Sequence, residues 1–242
     1  MGTKRGQITV FIVIGLLMLI GIGTVVYVNQ RGEEGLTPGA TSSEDPTSQL
    51  QGIITQCIRT QGIPLLQEMS RKGATLRDGI LFRGERYNLY CEDAGIEGCL
   101  NRFITNKEIA AEYDAALTPL VDACIDLTPL RKRGFTIERG ALTLHTVISF
   151  DEVATEATLP LTLTSSTDTI TFDKLIERIQ SPLGMLHSLA LILVYQQIEK
   201  GYIDKDTWMK EHGASIMIDI DKPYPNTLIT LTTTDETKRP YT

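Results

Sequence analysis

Four cysteines, Cys57, Cys91, Cys99 and Cys124, carry the most directly readable chemistry in this chain of 242 residues. Four thiols allow three pairings. Cys91 and Cys99 enclose seven residues that include Gly95 and Gly98, a natural small loop. Cys57 and Cys124 each fall on an expected helix with apolar neighbours. The expected disulfides are therefore Cys57–Cys124 and Cys91–Cys99, contributing about 4 and 2.5 kcal/mol in the loop-entropy picture. Zinc is the alternative, but there is no C-x-x-C spacing and no histidine near any cysteine. Reduced thiols packed in a core are the third reading.

Other reactive side chains stand alone. His187 lies inside an apolar run, with no acid or nucleophile at matching spacing, so it reads as a satisfied core residue rather than a catalytic base. Asp219 and Asp221 alternate on an expected strand and share one face. Calcium wants six or more oxygens, and two carboxylates beside Lys222 supply too few. Arg131-Lys132-Arg133 reads as a solvated strand entry, with an anion site as the alternative. Phe82, Tyr87 and Tyr90 are expected to pack on nearby helices; a ligand-facing patch is the other option. The chain contains no Gly-rich phosphate loop, no G-x-S-x-G and no H-E-x-x-H. No catalytic residue, metal ligand or cofactor is assigned.

These residues need elements to hold them. Leu50, Ile53, Ile54, Cys57 and Ile58 have helical spacing over 49–60, with Gly62 as a stop and Pro64 opening a second short helix to about Gly73. Ile80-Leu81-Phe82 and Tyr87-Asn88-Leu89-Tyr90 read as a hairpin around Arg83-Gly84-Glu85-Arg86. Thr105 and Glu108 form a capping box for a helix to about Leu127, which Pro119 should kink or split. Strands are expected at 135–137, 142–150 and 153–163, with a turn at Glu138-Arg139-Gly140. Helix is expected again from Asp173 and, after Pro182, as a central buried helix ended by Lys200-Gly201. Asp204 should cap a short helix carrying Trp208. A final hairpin pairs 216–220 with 228–231.

One further stretch sets the organisation. Ile8 to Val28 is an apolar run of 21 residues without a charge. A helix of that length spans roughly 31 Å, against a hydrocarbon core of about 30 Å. It is too long for a cleaved secretory signal. Lys4 and Arg5 precede it while Glu33 and Glu34 follow, which places the tail in the cytoplasm and the rest outside. Residues 29–48 are rich in Gly, Pro, Ser, Thr and Glu and read as a tether. Lys4 and Arg5 offset the formal charge of −7, leaving −9 beyond Gln30. So acidic a domain would repel nucleic acid.

Lys4-Arg5-Gly6 followed by Gln7-Ile8-Thr9-Val10-Phe11-Ile12 resembles the class III signal of archaeal type IV pilin-like proteins. That resemblance implies cleavage between Gly6 and Gln7 by a prepilin peptidase. The lead, the short linker and the cysteine-bearing body together resemble the anchored surface proteins that small-genome archaea encode in numbers.

The expected fold class is α+β: one N-terminal transmembrane helix, then an antiparallel sheet packed by helices. The expected domains are a cytoplasmic tail at 1–7, the membrane helix at 8–28, the linker at 29–48 and an extracytoplasmic body at 49–242. The expected function is display of a non-enzymatic binding or adhesion domain at the cell membrane. A pilin-like filament subunit is the second reading and an anchored hydrolase the third. The implied partners are the lipid bilayer, a prepilin peptidase and other surface subunits, self included.

Overall fold

Helix-compatible apolar spacing starts at Leu50. The computed structural model describes residues 45–77, 79–93, 99–212, 216–222 and 226–233, all within the unit Asp45–Thr242. Helix α1 runs over Pro46–Arg71, capped by the Asp45 carboxylate, which accepts from the Thr47 N–H. It is one helix where two were expected. Pro64 lacks the N–H that would bond the carbonyl of residue 60, but both residues are exposed, so water can take that carbonyl. Gly62 does not stop the helix; it is buried against the Tyr113 hydroxyl. The expected 29–48 tether accordingly gives way to helix at Pro46.

Helix α2 spans Asn106–Cys124 and opens on the expected capping box. The Glu108 N–H donates to Thr105 Oγ1 at 3.2 Å, and the Thr105 N–H donates to Glu108 Oε2 at 2.7 Å. Pro119 does not split it, again because Pro119 and residue 115 both face solvent. The helix ends at Cys124, and a short α3, Thr128–Lys132, follows. Cys57 of α1 is disulfide-bonded to Cys124, with Cα atoms 5.7 Å apart.

The main sheet holds β5 (Thr136–Arg139), β6 (Thr143–Ile148), β7 (Glu152–Thr164) and β8 (Thr169–Gln180). All pairings are antiparallel. β8 lies along one edge of β7, while β6 and β5 share the other edge end to end, opposite 153–158 and 161–164. The register slips between Thr158 and Leu161, where Pro160 sits in a bulge and its carbonyl accepts from the Gly140 N–H at 2.8 Å. A bulge is where a long central strand tolerates proline. β8 corrects the helix expected from Asp173. Val153, Ala157, Leu159, Leu161 and Leu163 of β7 face α1 and α2 and fill the larger core with Ile54, Ile58, Tyr113 and Leu117. A polar row crosses this face: Thr146, Thr155 and Glu177 stand opposite one another on β6, β7 and β8. Thr146 and Thr155 bond through their hydroxyls at 3.0 Å, and Arg59 of α1 pairs with the buried Glu177 at 2.6 Å. Such pairs pin the register.

Among the described residues there are also three two-stranded ribbons: β1 (Ile80–Phe82) with β2 (Glu85–Tyr87), β3 (Cys91–Asp93) with β4 (Cys99–Asn101), and β9 (Ile216–Asp221) with β10 (Leu228–Thr233). The β1–β2 turn is the two residues Arg83 and Gly84, both at positive φ (50° and 88°), the primed turn that matches strand twist. Helix α4, Leu183–Lys200, ends on Gly201 at φ 74°. Asp204 caps α5, Lys205–His212, through the Thr207 N–H at 3.1 Å. Leu189 and Leu193 of α4 pack with Trp208, Ile216 and Ile218 in a second, smaller core. α4 is not the central buried helix expected: Ile192, Tyr195 and Ile198 are 42–55% exposed.

The fold class needs a second correction. The antiparallel sheet packed by helices is present, but no helix among the described residues is long and apolar enough to cross a membrane. α1 has the length, yet only one of its faces is apolar and it carries Arg59, Glu68 and Arg71. α4 gives way after Tyr195 to Gln196, Gln197, Glu199 and Lys200. The run 8–28 on which the membrane helix was expected lies outside the described residues, as do 1–7 with Gly6 and Gln7 and the tether up to Glu44.

Candidate functional site

A cavity of about 520 Å³ opens between the two cores. Its walls come from four places: the end of α1 (Ser70, Arg71), the β1–β2 ribbon running on to Cys91, the inner stripe of α4, and residues 226–231 leading into β10. On α4 the stripe is Leu183, Leu186, His187, Ala190, Val194 and Gln197. That is helical spacing on one face, which packs at Leu183 in the larger core and lines the opening beyond it. Across from it stand Phe82, Tyr87 and Tyr90. The aromatic trio therefore lines the cavity, with Phe82 and Tyr87 rings 6.4 Å apart, while Tyr90 also packs on α4, as expected, through His187.

Local backbone bonding holds the aromatic wall. α1 ends with Gly73 and Ala74 both in left-handed geometry, the Ala74 N–H donating to the Met69 carbonyl at 2.8 Å. The Asn88 N–H donates to the Lys72 carbonyl at 2.8 Å. The Gly73 carbonyl then accepts from both Asn88 Nδ2 and the Tyr90 hydroxyl, each at 3.2 Å. Burial pushes the Tyr90 phenol upward, so it stays a neutral donor. At the hairpin tip Arg83 pairs with Asp221 of β9 at 3.1 Å and lies over the Phe82 ring at 4.9 Å. That ion pair links the β1–β2 wall to the β9–β10 ribbon.

His187 is 4% exposed and shares the wall with Tyr90, ring centroids 6.0 Å apart. Its Nδ1 lies 3.0 Å from Asn106 Oδ1, the first residue of α2. Burial lowers its pKa, partly opposed by the Ile104 carbonyl, so the ring is neutral near pH 7. Of the other polar groups on the wall, the Ser70 hydroxyl donates to the Leu66 carbonyl at 2.8 Å, and Cys91 is disulfide-bonded. The cavity thus sets one buried imidazole beside aromatic and aliphatic walls.

The remaining sequence candidates disperse. The bond of Cys57 to Cys124 is the expected one. Cys91 is also oxidised, and the side chain of its expected partner Cys99 lies outside the described residues. Asp221 faces Arg83, Asp219 is exposed opposite Thr230, and no group of three or more metal-ligating side chains occurs among the described residues. Arg131 and Lys132 are exposed in the last turn of α3, and Arg133 Nη1 donates to Gln49 Oε1 at 2.8 Å. Sequence reasoning missed Arg71 and the strand residues 228–231 as parts of one site. The sequence signals were the Phe82, Tyr87 and Tyr90 patch, raised as an alternative, and the α4 stripe, which reads as a buried core face. No protein-family profile, curated protein or solved structure matches the chain.

Proposed function

We propose that the body is a non-enzymatic binding domain that takes a largely apolar ligand into the cleft and works at the cell surface, outside the cytoplasm. The observation that carries this reading is the cavity itself: about 520 Å³, walled by three aromatic rings and the α4 stripe, with a few polar groups at fixed positions. Ligand sites are typically of this size and make-up, roughly 300–1,000 Å³. The oxidised cysteines support the location, because disulfides persist outside the reducing cytosol. The test is titration with Nile red, a neutral polarity-sensitive dye. Saturable 1:1 binding is expected, and Ala190→Trp, which fills the cavity, should abolish it while leaving the circular dichroism unchanged. Dye binding that survives that substitution would place the site elsewhere. For the location, a membrane-impermeant amine label applied to intact cells should modify the body; protection from it would refute the surface assignment.

A second reading, a subunit that packs against copies of itself in a pilus-like filament, is favoured by the outward side of α4, where Ile192, Tyr195 and Tyr202 just beyond it are 47–59% exposed. Concentration-dependent assembly lost in Tyr195→Lys would support it, and a monomer at all concentrations would remove it.

A further inference from the structure

We infer that the cleft takes a single-tailed amphiphile with one anionic head group, the head held by Arg71 and the tail laid between the aromatic ribbon and α4. This rests on the cleft being the binding site. The lining contains one formally charged side chain, Arg71, and no carboxylate among the described residues. In a chain of net charge −7 that wall is a local exception. Neighbouring cations are already engaged: Lys72 with Glu68 at 2.6 Å, Arg77 with Glu112, and Arg83 with Asp221. Arg71 is exposed at the rim and makes no ion pair among the described residues. A guanidinium presents a planar fork of donors suited to a carboxylate, sulfate or phosphate oxygen pair.

The surroundings restrict the head further. His187 is neutral and adds no second cation, so a head with two charges gains little. The last carbonyls of α1 would otherwise repel an anion, but those of Glu68, Met69 and Ser70 accept from the N–H groups of Lys72, Gly73 and Ala74. Most of the remaining lining is apolar, Phe82, Tyr90, Leu186, Val194 and Leu228 among it. A neutral apolar ligand would leave the cation unused, and a cationic one would be repelled. Each methylene buried against that lining should tighten binding about fourfold until the cavity is full.

The experiment titrates the full chain with dodecanoate, dodecan-1-ol and dodecyltrimethylammonium, each below its micellar concentration, and with Nile red in parallel. Dodecanoate should bind 1:1 and about tenfold more tightly than the alcohol, the ordinary gain for a hydrogen bond to a charged group, with the ammonium weakest. Arg71→Gln should bring the carboxylate down to the level of the alcohol without changing the latter, and Arg71→Lys should restore most of the preference. Octanoate should bind more weakly than decanoate, and decanoate more weakly than dodecanoate. Equal affinity of carboxylate and alcohol, or a preference that survives Arg71→Gln, overturns the head-group assignment while dye binding still upholds the cleft. Failure of every probe, Nile red included, overturns both.

Discussion

The Tyr113 hydroxyl occupies the space that a side chain at position 62 would need, so Gly62 and Tyr113 are one packing decision made on two helices. Both are buried where α1 crosses α2, above the sheet at Thr155. Gly62→Ala should gain up to about 1 kcal/mol in helix propensity and lose about 1–3 kcal/mol to overpacking. The net expectation is a loss of about 1–2 kcal/mol in urea unfolding. Tyr113→Phe removes the obstructing atom and should change stability by less than about 1.5 kcal/mol alone. Combined with Gly62→Ala it should recover most of the loss. Additive single effects in that cycle would show that the two residues are not coupled.

His187 makes stability depend on acidity in a defined direction. Its folded pKa lies below the ordinary 6.5 because burial disfavours the imidazolium. As pH falls through 6.5 the unfolded chain therefore takes the proton first, and stability drops. The contribution is complete above 6.5 and is lost progressively as pH falls through the interval down to the folded value. Glu108, Asp126 and Asp204, whose carboxylates bind backbone N–H or hydroxyl groups and are lowered, lose theirs only at more acid pH. Denaturation midpoints from pH 7.5 to 5 should fall in the wild type and fall less in His187→Gln. A parallel decline in both would assign the loss to other groups.

Local signals were legible where a residue satisfies its own backbone. The Thr105–Glu108 box, the Gly201 stop and the Asp204 cap all lie where chain chemistry demands them, whereas the expected Arg83–Arg86 connection tightens to Arg83 and Gly84, with Glu85 and Arg86 joining β2. β8 was misread for a tertiary reason. The bulge at Pro160 shifts its register, so its core-facing residues change from even positions, Ile170 and Phe172, to odd ones, Leu175, Glu177 and Ile179. The apolar residues Phe172, Leu175 and Ile179 thereby mimic helical spacing, and only pairing with β7 decides the matter. Pro64 and Pro119 misled for a related reason, since sequence does not say which carbonyl faces water. The cleft was hidden because an apolar stripe reads alike whether it meets a core or an opening.

The Cys57–Cys124 bond closes a loop of 67 residues between the two helices over the sheet. Replacing both cysteines by serine should lower stability by about 4 kcal/mol in the loop-entropy picture, with partial relief if the unfolded chain retains structure. Adding reductant to the wild type should cost more than the double substitution does, and in the double variant it should remove only what the Cys91 disulfide contributes. A change below 1 kcal/mol would mean that packing of α1 on α2 already restrains the unfolded ensemble.

Gly184 joins stability to binding. It sits in the first turn of α4, pressed on the Ser149 carbonyl of the β6–β7 turn, so that any Cβ would collide with backbone. The Met185 N–H donates to the Phe150 carbonyl at 3.0 Å, and the Ser181 N–H to that of Asp151 at 3.0 Å, locking the helix start to the turn. Backbone cannot rotate away as a side chain can, so Gly184→Ala should displace α4 or cost about 3 kcal/mol. Because α4 carries Leu186, His187 and Val194 into the cleft, the same substitution should weaken Nile red binding at temperatures where the protein is still folded. Gly52→Ala, on the exposed side of α1 with open space around it, is the control and should leave binding unchanged. If Gly184→Ala lowered stability and left dye affinity intact, the placement of α4 by that turn would be irrelevant to the site.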